Sequence, residues 1–114
     1  MSSGSELPIE ISVEDTSQSL KDNSAFVLLD CREPDEYETA KIEGSILIPM
    51  SGIQQRLEEV LEMSDKHIVV HCHHGGRSLR VVNWLRGQGL QSVQNMTGGI
   101  DAWSQQIDTN VPRY

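Results

Sequence analysis

The stretch His71-Cys72-His73-His74-Gly75-Gly76-Arg77-Ser78 gathers a nucleophile, three imidazoles, a glycine pair and a guanidinium within eight residues. A cysteine is a strong nucleophile only as its thiolate, and a free thiol with a pKa of about 8.5 is mostly protonated at neutral pH. The neighbours of Cys72 all push the other way. Adjacent Gly75 and Gly76 let the backbone curl so that successive N–H groups point inward as an anion nest. Arg77 adds a permanent positive charge. Ser78 lies where a helix should start, and a helix N-terminus offers unpaired N–H groups to an anion. Such surroundings lower a cysteine pKa to roughly 3.5–7.5. Cys72 is therefore the expected nucleophile, activated without a dedicated base. Gly75, Gly76, Arg77 and Ser78 are the expected anion cradle, with His73 and His74 as further substrate-binding candidates that titrate near neutrality.

Each residue also has a plain reading. A cysteine after a strand is often a small core hydrophobe, a Gly-Gly pair is often only a turn, and loop histidines are often merely solvated. Their concentration in one loop favours the functional reading. Zinc is the rival chemistry, because His67, His71, Cys72, His73 and His74 carry enough ligand atoms. Neighbouring residues on a strand face opposite ways, however, and no second ligand pair of standard spacing exists. No metal and no cofactor are expected.

The surrounding pattern alternates strand-like and helix-like runs, which predicts an α/β fold with a mainly parallel sheet. Strands are expected near residues 9–11, over Phe26-Val27-Leu28-Leu29, over Ser45-Ile46-Leu47-Ile48, over Ile68-Val69-Val70 and over residues 92–96. The continuous apolar runs before Asp30 and before His71 read as strands buried on both faces. Ser12-x-x-Asp15 and Ser51-x-x-Gln54 resemble capping boxes opening helices. Pro34 with Asp35 and Glu36 marks a short helix ending near Ala40. Leu79, Val82 and Leu85 place a helix from about Ser78, closed by Gly87 or Gly89, and a last helix follows Gly98-Gly99.

The chain has 114 residues, 37% of them hydrophobic and 23% charged, which suits one folded domain. The expected organisation is a flexible N-terminus over residues 1–6, a domain over 7–106 and a C-terminal tail over 107–114. A formal net charge of −8 argues against nucleic acid or anionic membrane as partners. No apolar run approaches the roughly 20 residues a membrane helix needs. The start of the chain does not read as a secretory signal, so the reducing cytoplasm is the expected compartment.

Three segments together resemble the rhodanese-like sulfurtransferase family. Cys72-His73-His74-Gly75-Gly76-Arg77-Ser78 matches its Cys-x-x-Gly-x-Arg-Ser loop. Leu29-Asp30-Cys31-Arg32-Glu33-Pro34-Asp35-Glu36-Tyr37 with Ile42-Glu43-Gly44-Ser45-Ile46 resembles its first segment, and Gly98-Gly99-Ile100-Asp101-Ala102-Trp103 its last. The resemblance implies a five-stranded, mainly parallel sheet flanked by helices on both faces, with the loop after the fourth strand. It implies that Cys72 carries sulfur as a persulfide, from a donor such as thiosulfate to a thiol or cyanide, with a sulfur-relay protein as a further partner. Asp30 and Arg32 match the family's Asp-x-Arg pair, for which a supporting role is expected.

The chain departs from the family at Ala40-Lys41-Ile42, where Gly-His-Ile is common, and at Cys31, where valine is common. Cys31 is expected to be a packed substitute for that valine; the alternative is a thiol that resolves an oxidised or persulfidated Cys72 as a disulfide. A non-catalytic rhodanese-fold interaction module is the alternative function. Cysteine phosphatase or arsenate reductase is a lesser one. The His-Cys-x5-Arg loop of cysteine phosphatases would need one residue more than the four between Cys72 and Arg77.

Overall fold

The computed structural model describes residues 7–22 and 25–114; the expectation for residues 1–6 lies outside them. Five strands form one sheet: β1 Glu10–Ile11, β2 Phe26–Asp30, β3 Ile46–Leu47, β4 His67–His71 and β5 Val93–Met96. Their order is β1-β5-β4-β2-β3, and every neighbouring pair is parallel. The five helices are α1 Val13–Asp22, α2 Pro34–Thr39, α3 Leu57–Leu61, α4 Gly76–Gly87 and α5 Gly99–Gln106. Parallel strands require crossover connections, and these carry the helices onto both faces of the sheet.

Alternation along the central strands divides the core in two. Val27, Leu29 and Cys31 share one face with Ile68, Val70 and Cys72, under Ile53, Val60, Val81, Val82 and Leu85. Leu28 and Val69 face the other way, toward Val13, Ile100 and Trp103. That two-sided burial is why both runs are apolar throughout.

The Ser12 cap forms as expected, its hydroxyl accepting the Asp15 N–H at 3.0 Å. The Ser51 cap does not form. Met50–Arg56 instead winds as a 3-10 helix before α3. A tight turn from Pro49 O to Gly52 N (2.9 Å) starts that winding, and the Ser51 hydroxyl donates to Glu33 Oε1 at 2.9 Å instead of capping. Helix α4 starts at Gly76, two residues before the expected Ser78. Residues 107–114, expected as a tail, pack back onto the domain. Val111 enters the second core cluster, and Tyr114 reaches the loop that follows β4. Among the described residues no helix is long and apolar enough to cross a membrane.

Candidate active site

The carboxyl ends of β2 and β4 lie side by side, and the candidate residues gather beyond them. The ladder pairs Leu29 with Val70 and Asp30 with His71. It runs one step further, because the Cys31 N–H donates to His71 O at 3.1 Å. Cys31 and Cys72 are thus the next residues on neighbouring parallel strands, with side chains on the same face.

Cys72 is 1% exposed and forms the floor of the loop. Gly75 caps α4 with φ of +115°, a left-handed conformation that a side chain would strain. This turn aims the backbone inward, so that the N–H groups of Gly75 (3.1 Å) and Ser78 (3.4 Å) both point at Cys72 Sγ. The Ser78 hydroxyl lies 3.3 Å from the same sulfur. It also donates to Asn95 Oδ1. Asn95 Nδ2 faces the Glu10 carboxylate and Gly75 O, which turns Oδ1 toward Ser78. The single hydroxyl proton serves Asn95 while Cys72 is a thiol, and can rotate to the sulfur when Cys72 ionises.

The loop is held from beneath by α5. Ile100 N–H donates to Cys72 O (2.9 Å) and Asp101 N–H to His73 O (3.1 Å). Gly99 packs so closely that a Cβ there would lie 2.5 Å from Cys72 O and 2.4 Å from His73 O. The Gly98-Gly99 pair therefore has a steric purpose, which is to let α5 approach the loop backbone.

Cys72 and Cys31 titrate in opposite directions. The Cys31 S–H beside it, against the effect of burial and with the Ser78 hydroxyl and the Ser78 and Gly75 N–H groups, brings Cys72 down to about 4. Cys31 is pushed far up by its role as donor to Cys72, by burial and by the negative charge next to it. The assignment follows from position: the N–H groups face Cys72, so the negative charge resides there.

Arg77, expected to add a permanent positive charge to the loop, has that charge paired. Its guanidinium forms a bidentate pair with Glu36, at 2.7 and 2.9 Å. The pair holds the Glu36 carboxyl at about 2 and raises Arg77. The Cys31 S–H, the Ser78 hydroxyl and the Gly75 and Ser78 N–H groups are the donors next to the sulfur.

Asp30 and Arg32 form a fully buried ion pair, Nη2 to Oδ2 at 2.7 Å. Arg32 also donates to Ala40 O (2.6 Å), Glu36 O (3.3 Å) and the Tyr114 hydroxyl (2.8 Å). That hydroxyl donates in turn to Glu36 Oε2 at 2.9 Å. The Tyr114 ring stacks on His73 at 4.1 Å, and His73 stacks on His74 at 4.0 Å. Burial, with His74 alongside, lowers the His73 pKa. His74 is the exposed member of the stack.

The two histidines do not diverge as strand neighbours would, because they lie beyond β4. Ligand atoms of His73, His74 and Asp101 come within 4.8 Å of one another. Imidazole lone pairs lie in the ring plane, though, and stacked rings inclined by only 22° aim theirs side by side rather than at one point. Asp101 is meanwhile paired with Arg113 at 3.0 Å.

Glu10, Glu36, Asn95 and Tyr114 were not among the expected site residues. Glu36 had a signal in its place within the Asp30–Tyr37 segment. The other three reach the loop only through the fold.

The architecture is a five-stranded parallel sheet with a cysteine loop between the fourth strand and the helix that follows it. Residues 12–106 match the rhodanese-like domain family, and the chain belongs to that family. It is 36% identical over 95 residues to a protein named sulfurtransferase from Allochromatium vinosum, covering 83% of this chain and 87% of the relative. It is 39% identical over 89 residues to the chloroplastic rhodanese-like/PpiC domain-containing protein 12 of Arabidopsis thaliana. That match covers 76% of this chain but only 30% of the longer relative. A rhodanese-related protein from Thermoplasma volcanium superposes with a TM-score of 0.77 at 34% identity, covering 88% of this chain and 94% of the other.

Proposed function

We propose that the chain is a sulfurtransferase in which Cys72 takes a sulfane sulfur as a persulfide and passes it to a thiol, or to cyanide in the test tube. The observation that carries this reading is the convergence of the Gly75 and Ser78 N–H groups on Cys72 Sγ. Aligned N–H dipoles stabilise a negatively charged sulfur without forming a bond that must later be broken.

In the first step the Cys72 thiolate attacks the outer sulfur of thiosulfate. The sulfur–sulfur bond of the donor breaks and sulfite leaves with the electron pair. In the second step an acceptor thiolate attacks the outer sulfur of the persulfide and returns Cys72 to the thiolate. Both are exchange reactions at sulfur, governed by the thiolate fraction and by access. Gly75, Gly76 and Ser78 form the cradle, and Arg77, steered by Glu36, lies at its rim. His73, His74 and Tyr114 give that rim an aromatic face suited to an acceptor larger than cyanide, such as the thiol of a relay protein. Asp30 and Arg32 support the neighbouring strand end. The loop has one residue fewer than a phosphatase loop, a ring suited to one sulfur rather than a tetrahedral phosphate.

The test is anaerobic incubation with thiosulfate and cyanide, following sulfite and thiocyanate. The expected result is turnover by the native protein, none by Cys72→Ser, and negligible hydrolysis of an aryl phosphate by either. Thiocyanate formation that survives Cys72→Ser would overturn the proposal.

A further inference from the structure

Cys31 is a buried thiol that the two-step reaction leaves unused. It is fully buried, in the same core cluster as Cys72. It occupies the next register position after the Asp30–His71 pair, and its N–H continues the ladder. Neighbouring parallel strands lie about 4.8 Å apart, and a disulfide needs Cα atoms within roughly 7 Å with side chains facing each other. The strand spacing meets the first condition, and the Cys31 S–H that donates to Cys72 sets the two sulfurs side by side. Both cysteines also lie just beyond the ends of β2 and β4, where the backbone has more freedom to turn than inside a ladder.

Resting on the sulfurtransferase reading above, we propose that Cys31 is a resolving thiol, apposed to Cys72 across the β2–β4 ladder, that displaces the outer sulfur of the Cys72 persulfide and gives the protein a second activity, the thiol-dependent release of sulfide. The Cys31 sulfur attacks Cys72 Sγ. A Cys31–Cys72 bond forms, the bond from Sγ to the outer sulfur breaks, and that sulfur leaves with the electron pair. The Cys31 proton goes to the departing sulfur, so a persulfide anion and one thiol become a disulfide and hydrosulfide. No oxidant is needed, because the donor's sulfane sulfur is itself reduced. Two electrons from a thiol reductant, entering at Cys72, then reopen the disulfide. With thiosulfate as donor, two thiols in total are oxidised for each sulfite and sulfide released.

The apposition also explains why the resting enzyme does not consume Cys31. With the charge on Cys72 Sγ, Cys31 is held as a thiol that donates to its neighbour. Loading moves that charge outward by one sulfur–sulfur bond, about 2 Å. The charge that kept Cys31 protonated is then further away, and Sγ has become an electrophile. A fast acceptor takes the sulfur first; a slow one leaves time for Cys31.

The experiment uses the full chain, reduced, desalted and anaerobic, with thiosulfate as donor and no added thiol. Sulfite, sulfide and intact mass are followed, and the cysteine peptides are mapped. The native protein should release one sulfide per sulfite, lose two hydrogens in mass and yield linked Cys31 and Cys72 peptides. Adding a dithiol should make sulfide release catalytic. Cys31→Ser, which keeps a hydrogen-bond donor beside Cys72, and Cys31→Val, assayed at a pH high enough to ionise Cys72 without that donor, should release sulfite more slowly than the native protein, retain the added sulfur on Cys72 and make no sulfide. A native protein that releases sulfite but keeps a stable persulfide, without sulfide or linked peptides, overturns the resolving role and leaves the sulfurtransferase reading intact. Failure to load from thiosulfate or from a small organic persulfide overturns both.

Discussion

Strands β2 and β4 run side by side and end together, yet their ends treat negative charge in opposite ways. At the end of β2 the charge belongs to Asp30, and a fully buried guanidinium from Arg32 neutralises it. The remaining Arg32 donors are taken by Ala40 O, Glu36 O and Tyr114. Beyond β4 the charge belongs to Cys72, and it meets the Cys31 S–H, N–H groups and a hydroxyl instead of a cation. The cation that could have met it, Arg77, is paired with Glu36. A permanent countercharge locks a group in one state. Backbone dipoles stabilise an anion while allowing the atom that carries it to change, which is what a sulfur carrier requires.

The sharpest break of this contrast is Arg32→Ala. Removing one partner of a buried ion pair leaves an unmatched charge and costs about 3–5 kcal/mol. Urea denaturation should show a loss of that size, and a change below about 1 kcal/mol would mean that Asp30 finds water or another donor.

The Cys72 end should respond in ionisation more than in stability. A hydrogen bond to a charged group is worth about 1.5–3 kcal/mol, or roughly one to two pH units in an ionisation. Ser78→Ala should therefore move the iodoacetamide-labelling profile of Cys72 up by about that much from its midpoint near 4. Arg77→Ala should move it by roughly half a pH unit or less, since Glu36 already screens the guanidinium. The reverse ranking would show that Arg77, not the loop, sets the thiolate.

The smallest expected effect concerns His71, which lies between the two ends. Among the described residues neither ring nitrogen has a hydrogen-bond partner, and Nε2 is 3.8 Å from Asp30 Oδ2. Burial pushes its pKa down, against the pull of Asp30. The unfolded chain then takes up the proton first as pH falls. This contribution to stability is flat above the unfolded value of about 6.5, declines below it, and levels off under the folded value. Denaturation midpoints between pH 7 and 5 should fall, and His71→Asn should flatten that part of the curve.

Much of this was legible in the sequence because local constraints carried it. The apolar runs before Asp30 and His71 are unbroken because both sheet faces are covered, and the loop must follow β4 because the motif does. Gly99 was legible as part of a signature, although its steric reason appears only with α5 against the loop. The capture of Arg77 by Glu36 was not legible, since it joins residues 41 positions apart. Nor was the hold of Tyr114 on Arg32 across 82 positions. Pattern reports which face a side chain takes, whereas the choice of ionic partner is made by chain segments meeting in space. Ser51 shows the same limit locally, because its capping signal lost to an acceptor on another turn.

The edge strand β1 has a consequence for how the molecule comes into being. Its partner is β5, with Glu10 opposite Asn95 and Ile11 opposite Met96. The Glu10 carboxylate also accepts from Asn95 and Thr97. A ribosome delivers the chain from its N-terminus, so β1 emerges early and waits unpaired until residues 93–97 follow. Cys72 is exposed to the cell during that wait. Its cradle is incomplete until Asn95 arrives to hold Ser78, and its floor until Gly99 brings α5 beneath the loop. A nascent or truncated chain ending before β5 therefore carries the thiol without the surroundings that tame it, and the reactive sulfur comes under control in nearly the same event that closes the sheet.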